Sequence, residues 1–246
     1  ASDVYKRQVL LRNIRHTADE LQQYATSFDQ LPLRQNKIVQ TLEEEEIPFD
    51  FDAIVGRGGL THPIPAGVYR VNAQMLHDTR TAIRQHVCNL GCHIAAALAS
   101  QIDHCEALIA DPVIVDEMCA EARICGCPNM SRNSVWHALN QRATARRHAL
   151  AIGRRYEDLD LIVAHLGGGI TIGVHHHGRT IDVNNGLDGE GPFSPERAGT
   201  LPSSDLIRMC FSGEYTEEEL LRFVGGKAGL MAWLGTNAVS YTHLRA

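Results

Sequence analysis

Three consecutive glycines, Gly167, Gly168 and Gly169, stand between two strand-like runs, Leu159–His165 and Ile170–His176. Such a turn bares several backbone N–H groups and lets a polyphosphate approach without meeting a Cβ. A third strand-like run, Arg179–Val183, follows a tight turn, and then comes an acidic Gly/Pro-rich loop, 186–202, with one arginine, Arg197. That loop is too long and too polar to exist for packing, which marks Arg197 as an anion-binding candidate. Arg57 follows a short apolar run and is flanked by glycines, so it belongs at the exposed end of a strand. Asp111 ends another apolar run, Ala107–Ala110. Two polar residues ending neighbouring strands point to one crevice, the usual ligand site of an open α/β sheet. The plainer readings are a turn arginine at 57 and an Asp-Pro cap at 111.

The elements that would hold these residues are legible in outline. Thr17-Ala18-Asp19-Glu20 is a capping box and starts a helix. A second helix is expected over Leu33–Glu46. Ala53–Val55 reads as a short buried strand. Val71–Ser100 reads as largely helical, with a break near His86–Gly91. Val113–Ile124 and Asn133–Gly153 also read as helices, the latter with an apolar stripe of Val135, Leu139, Ala143 and Leu150. Strand periodicity begins at Asp158, which puts a domain boundary near Gly153–Asp158. Ser203–Ser212 and Thr216–Val224 complete the helices, each with Ser or Thr at its start. His175–His177 looks like a metal tag but falls at a hairpin, where a solvated turn is the simpler reading.

Composition narrows the function. The 246 residues carry a formal charge of −6, and 44% of them are hydrophobic. An acidic chain argues against a nucleic-acid partner and needs local arginines to hold anions. No apolar run is long enough to span a bilayer, and no signal-peptide pattern is present, so a membrane partner is not expected. Seven cysteines form no disulfide framework and read as reduced thiols of a cytoplasmic protein.

The words VGRGG (55–59), GVYRVN (67–72), ADPVIVDE (110–117), SVWHALNQRATARR (134–147), HLGGG (165–169) and DVNNGLDGEGPFSPERAG (182–199) resemble, in this order, the butyrate kinase branch of the acetate kinase superfamily. The resemblance covers nearly everything between residues 9 and 237. It implies an α/β fold of two ribonuclease H-like (actin-like ATPase) domains, both incomplete, covering 9–155 and 156–238. It also implies transfer of the γ-phosphoryl of ATP, with Mg²⁺, to a short-chain fatty acid substrate. A carboxylate with a pKa of about 4–5 is already ionised at neutral pH, so no general base is required. The work is to bring two anions together and stabilise the transferring phosphoryl.

By resemblance Arg57 holds the substrate carboxylate or the phosphoryl, and Asp111 is the active-site aspartate that positions Mg²⁺. His137 is the transition-state histidine, although a lone helical histidine is more often structural. Arg197 is the second catalytic arginine. His165 with Gly167–Gly169 forms the nucleotide phosphate turn. His86 and Asn89 face the substrate. Trp136 is either a liner of the alkyl pocket or a core aromatic. Other carboxylate kinases (branched-chain, acetate or propionate) are the near alternative. A non-catalytic actin-like nucleotide-binding module is the distant one, and it would have little reason to keep Arg57, Asp111, His137 and Arg197 together. Full-length members of the family are homo-oligomers, commonly dimers.

The two ends differ in character. GCG TCA GAT GTG TAT AAG AGA CAG encodes residues 1–8, and its reverse complement in another frame gives VSYTH at 239–243. One DNA element, of the kind used as a transposase-type sequencing adapter, explains both, so 1–8 and 239–246 are expected to be translated linker. Setting aside Lys6, Arg7, Arg245 and Asp3 removes a net +2 and leaves −8. The resemblance further implies an opening strand with a phosphate loop before residue 9, and further strands after 238. Incomplete sheets of this kind are expected to expose apolar faces and unpaired edges.

Overall fold

The computed structural model describes residues 8–82 and 85–236. Apart from Gln8, both terminal octets lie outside the described residues. In chain order the helices and strands are α1 (Ala18–Gln22), α2 (Leu31–Glu44), β1 (Ala53–Gly56), β2 (Val68–Arg70), α3 (Ala73–Thr81), α4 (Leu90–Ala99), β3 (Glu106–Ala110), α5 (Ala138–Ala151), β4 (Asp160–Leu166), β5 (Ile170–His176), β6 (Arg179–Val183), α6 (Ser203–Cys210), α7 (Glu217–Arg222) and α8 (Gly229–Leu234). The Thr17 capping box is present, with Thr17 Oγ1 accepting from Glu20 N–H and the Glu20 carboxylate accepting from Thr17 N–H.

Two three-stranded sheets organise the chain. In the first, β3 is central, parallel to β1 and antiparallel to β2. Helix α4 packs on β1 and β3, with α2 outside it. The second sheet is a meander, β4-β5-β6, antiparallel throughout. Helix α5 covers β4. The segment between β3 and α5 joins the halves: Ile64 bridges Val115, and Trp136 N–H donates to Val113 O at 2.9 Å. Around it lies a core of Val115, Met118, Trp136, Ala138 and Val183.

Several expectations need correction. Val113–Ile124 is not a helix: backbone groups of Val113, Val115 and Asp116 are committed to Trp136, Ile64 and their neighbours, leaving only a short 3₁₀ turn, Glu121–Arg123. Helix α5 starts at Ala138, so His137 is its N-cap rather than an interior residue. Its buried face is Ala138, Gln141, Arg142, Ala145 and Ala149, whereas Ala143 and Leu150 of the expected stripe are exposed. Strand β1 is not buried on both faces, since Val55 is 56% exposed. Pro202, not Ser203, occupies the N-cap of α6. His175 is buried, so only His176 and His177 fit the solvated-hairpin reading.

One face of each sheet is bare. On the second sheet Ile162, Leu166, Ile172 and Val174 are exposed, while Thr171 and His175 of β5 face inward. On the first, Val55 and Val68 are exposed. Among the described residues no helix is long and apolar enough to cross a membrane.

Candidate active site

A cavity of about 620 Å³ opens where the two halves meet. Its walls include Arg57, His86, Trp136, His137 and Arg197, so five of the expected residues converge. Arg34, which the sequence did not suggest, joins them from α2, and apolar side chains such as Ile54, Val87, Ile94, Val135 and Leu187 supply most of the rest. No aspartate or glutamate of the described residues lines it. Arginines and histidines over an apolar floor suit an anion with a hydrocarbon tail.

Close backbone approach shapes the near wall. Arg57 leaves the end of β1 in a loop whose Gly58 has φ +80°. A Cβ on Gly91, at the start of α4, would lie 3.1 Å from Gly58 N and 3.3 Å from Arg57 N, so that helix can approach the loop only as glycine. The Arg57 guanidinium makes no hydrogen bond or ion pair with a described residue. Asn89 does not line the cavity. It is fully buried, its Oδ1 accepting from Leu60 N–H at 3.0 Å and its Nδ2 donating to Thr79 O at 3.1 Å. It therefore ties the Arg57 loop to α3 rather than facing a ligand. His86 caps the turn before α4, with Nδ1 accepting from Cys88 N–H at 3.1 Å. Burial pushes the neighbouring Cys88 thiol up to about 11.

The far wall is His137, at the N-cap of α5, with Leu187 and Arg197 of the second half, whereas His165 and Gly167–Gly169 do not line the cavity. His137 and His165 stack with ring centroids 3.7 Å apart. Burial, then the His165, Arg197 and Arg57 charges, push the His137 imidazole down to about 3, so it is neutral at physiological pH. Burial and the same two arginines also lower His165. His165 follows the pattern of His86, with Nδ1 bonded to the Asn140 amide nitrogen at 2.7 Å. The turn Gly167–Gly169 is pinned to the arginine loop: Ser194 Oγ donates to Gly168 O at 2.6 Å and accepts from Arg197 N–H at 3.1 Å. The Arg197 guanidinium donates to Gly186 O and lies against Gly169, where any Cβ would collide with it. A side chain at 169 would therefore displace the Arg197 guanidinium from its present position.

Trp136 is 2% exposed and donates through Nε1 to Val115 O at 2.7 Å, so it serves as core and cavity wall at once. Asp111 sits elsewhere. Although it follows β3, the parallel neighbour of β1, its backbone turns to φ +35°. Its carboxylate accepts from Gly67 N–H at 2.8 Å, Arg142 Nε at 3.2 Å and Arg146 Nη1 at 3.5 Å. Arg142 also reaches Glu117 at 3.5 Å and Gly178 O at 3.0 Å. A buried carboxylate already neutralised by two arginines does not fit direct Mg²⁺ ligation. Asp160, His176 and His177 are near enough to share an ion, but all three are exposed and lie on the hairpin away from the cavity.

No family model matches the chain. It is 56% identical over 238 residues to a probable butyrate kinase of Bacteroides thetaiotaomicron, covering 96% of this chain and 67% of that protein. It is 48% identical over 233 residues to butyrate kinase 1 of Clostridium acetobutylicum, covering 94% and 65%. The chain therefore spans about two thirds of the length of the curated relatives it matches. Among solved structures, a propionate kinase from Francisella tularensis superposes with TM-score 0.64 at 18% identity, over 88% of this chain and 57% of that one. An acetate kinase from Entamoeba histolytica gives TM-score 0.60 at 17% identity, over 88% and 58%. These likenesses show the actin-like ATPase fold, of which this chain covers part. Identity of 56% over 96% of the chain and 67% of the relative shows that the chain belongs to the butyrate kinase family.

Proposed function

We propose that this chain carries the acceptor site and part of the nucleotide site of a kinase that phosphorylates butanoate with ATP. The observation that carries this is the cavity lining, which combines Arg34, Arg57, Arg197, His86 and His137 with apolar side chains and, among the described residues, includes no carboxylate. A carboxylate oxygen attacks the γ-phosphorus, a new P–O bond forms, and the bond to the bridging oxygen breaks with its electron pair leaving on ADP. Arg57 holds the acceptor carboxylate. Arg197 and neutral His137 donate hydrogen bonds to the transferring phosphoryl oxygens, where charge is concentrated in the transition state. His165 and Gly167–Gly169 receive the nucleotide phosphates. Mg²⁺ accompanying ATP would offset phosphate charge. Asp111 does not fit it as a direct ligand, and no step is routed through the ion.

The apolar walls favour a four-carbon acid over acetate, although one methylene in such a pocket is worth only about 1–3 kcal/mol of selectivity. We assign residues 9–155 to the first domain and 156–238 to the second. We also infer a homodimer, as the family resemblance implies, and a cytoplasmic enzyme, the latter supported by seven free cysteines. Acyl hydroxamate formation with Mg·ATP and acids of two to five carbons tests the activity. The assay is run on this chain and on a version extended to the relatives' length. Activity peaking at butanoate is expected in the extended protein. A folded, ATP-binding extended protein with no activity on any acid would instead point to the non-catalytic module, a reading that the displaced Asp111 keeps in play.

A further inference from the structure

Strand β5 buries Thr171 and His175 and exposes Ile172 and Val174, and a hydrogen-bonded path explains why. Gln141 of α5 lies against Thr171 and His175 and is itself fully buried. Its Nε2 is 2.9 Å from the Thr171 backbone oxygen and 2.9 Å from Thr171 Oγ1. A backbone carbonyl can only accept, so the amide nitrogen must face it and the Gln141 orientation is fixed. Room for that amide is left by Gly173, where a Cβ would lie 2.6 Å from Gln141 Oε1.

This one constraint sets every other proton along the path. Gln141 Oε1 accepts, so His175 Nε2, 3.0 Å away, must donate. Neutral His175 then has a bare Nδ1, which takes the Tyr156 hydroxyl proton at 2.6 Å. On the other side Thr171 Oγ1 receives Gln141 Nε2–H and lies 3.4 Å from His137 N–H. Its own proton goes to His137 Nδ1, 2.9 Å away. A neutral imidazole accepting at Nδ1 carries its proton on Nε2.

We propose that Gln141 is a positioning residue that, through Thr171, locks His137 in the tautomer with its proton on Nε2, with His175 and Tyr156 holding the amide in place from behind. The consequence rests on the proposed role of His137, since only that tautomer presents an N–H donor from the edge opposite Thr171. Gln141 and Thr171 touch no substrate in this account. They act as the orienting member of a catalytic triad does, by fixing which nitrogen bears the proton.

The test is a two-bond ¹⁵N–¹H spectrum of the protein extended to its relatives' length and labelled at histidine nitrogens, with His137 assigned by loss of its signals in His137→Gln. The wild-type protein should show a pyridine-type Nδ1 and a pyrrole-type Nε2 at His137. Gln141→Met and the near-isosteric Thr171→Val should both give a mixture of tautomers. In the protein extended to its relatives' length, each should lower kcat by roughly tenfold to a hundredfold with KM changed by less than about twofold. Thr171→Val alone decides if Gln141→Met does not fold. A proton on Nδ1 in the wild-type protein, or an unchanged tautomer in a folded variant, would overturn the proposal. A shifted tautomer with unchanged kcat would uphold the lock and remove His137 from the phosphoryl-transfer step.

Discussion

Helices α4 and α5 each lie on a three-stranded sheet beside the same cavity, and they differ in how much of their hold is directional. Helix α4 buries Leu90, Cys92, Ala95, Leu98 and Ala99, a mostly apolar face whose attraction is non-directional, with buried His93 hydrogen-bonded by its ring to Thr79 of α3. Helix α5 buries three alanines with Gln141 and Arg142 between them. Its hold on the second half combines the packing of Ala145 and Ala149 against Leu159, Leu161 and Val163 with hydrogen bonds to Thr171 and His175, while Arg142 ties the helix back to the first half through ion pairs with Asp111 and Glu117. Apolar packing leaves a smooth wall for a hydrocarbon tail. Directional bonds fix protons and charges where phosphoryl chemistry is proposed. The division of labour between substrate tail and reacting atoms thus follows from which helix packs by shape and which by donors and acceptors.

The largest effect should come from breaking the charged part of α5. Arg142→Met leaves Asp111 and Glu117 buried without their shared partner, and unfolding measured in urea should show a loss of about 3–5 kcal/mol. Adding Asp111→Asn should recover part of it, because the stranded charge is gone. Next, Arg197→Ala should lower kcat/KM about a hundredfold to a thousandfold, equivalent to about 3–4 kcal/mol of transition-state stabilisation, with little change in melting temperature. A comparable loss of melting temperature would make Arg197 a structural tie to Gly186 instead.

Acid should then weaken the α5 side selectively. Burial pushes His137 down to about 3 and His175 down to about 4, from an ordinary value of 6.5. Above pH 6.5 both rings are neutral in folded and unfolded chains, so neither affects stability. Below it the unfolded chain takes up protons that the folded chain refuses, and stability falls as pH drops towards 4 and then 3. The shifts set upper limits on the order of 5 kcal/mol for His137 and about 3 kcal/mol for His175, which solvent screening reduces. Denaturant midpoints between neutral pH and pH 4 should fall less steeply in His175→Phe than in the wild type. The smallest effect belongs to α4: Leu90→Met keeps volume and polarity and should cost less than about 1.5 kcal/mol. A greater loss there would mean that α4, too, depends on specific fit.

The bare sheet faces bear on the isolated chain. Ile162, Leu166, Ile172 and Val174 form an exposed apolar surface on the second sheet. We expect poor solubility or partial unfolding of this chain by itself. A monodisperse sample with one cooperative thermal transition would count against that.

Sequence periodicity located β5 and β6 to the residue, and it found the strands ending at Arg57 and Asp111, because short apolar runs stopped by Gly or Asp-Pro carry strong local signals. It found α5 but not its buried face, where alanines interspersed with polar residues give no apolar pattern and the buried side can be recognised only from its partners. It failed on 113–124 for the same reason, since Ile64 and Trp136 compete for backbone groups that a helix would have used. The glycine turn, Arg57 and Arg197 were legible because their chemistry is local. Arg34 was not, being one arginine on an ordinary helix.

By itself, then, the sequence determined the strand-turn-strand of the second half, the glycines that permit close approach, and the residue types needed to bind two anions. Tertiary structure alone decided that Asn89 and Asp111 turn inward to protein partners while Arg34 joins the cavity, and that His137 meets His165 and Thr171 at a helix cap. The physical reason is range. Backbone preference and apolar period act over a few residues, whereas a donor's partner, a buried ion pair or a histidine tautomer depends on atoms thirty or more positions away in the chain.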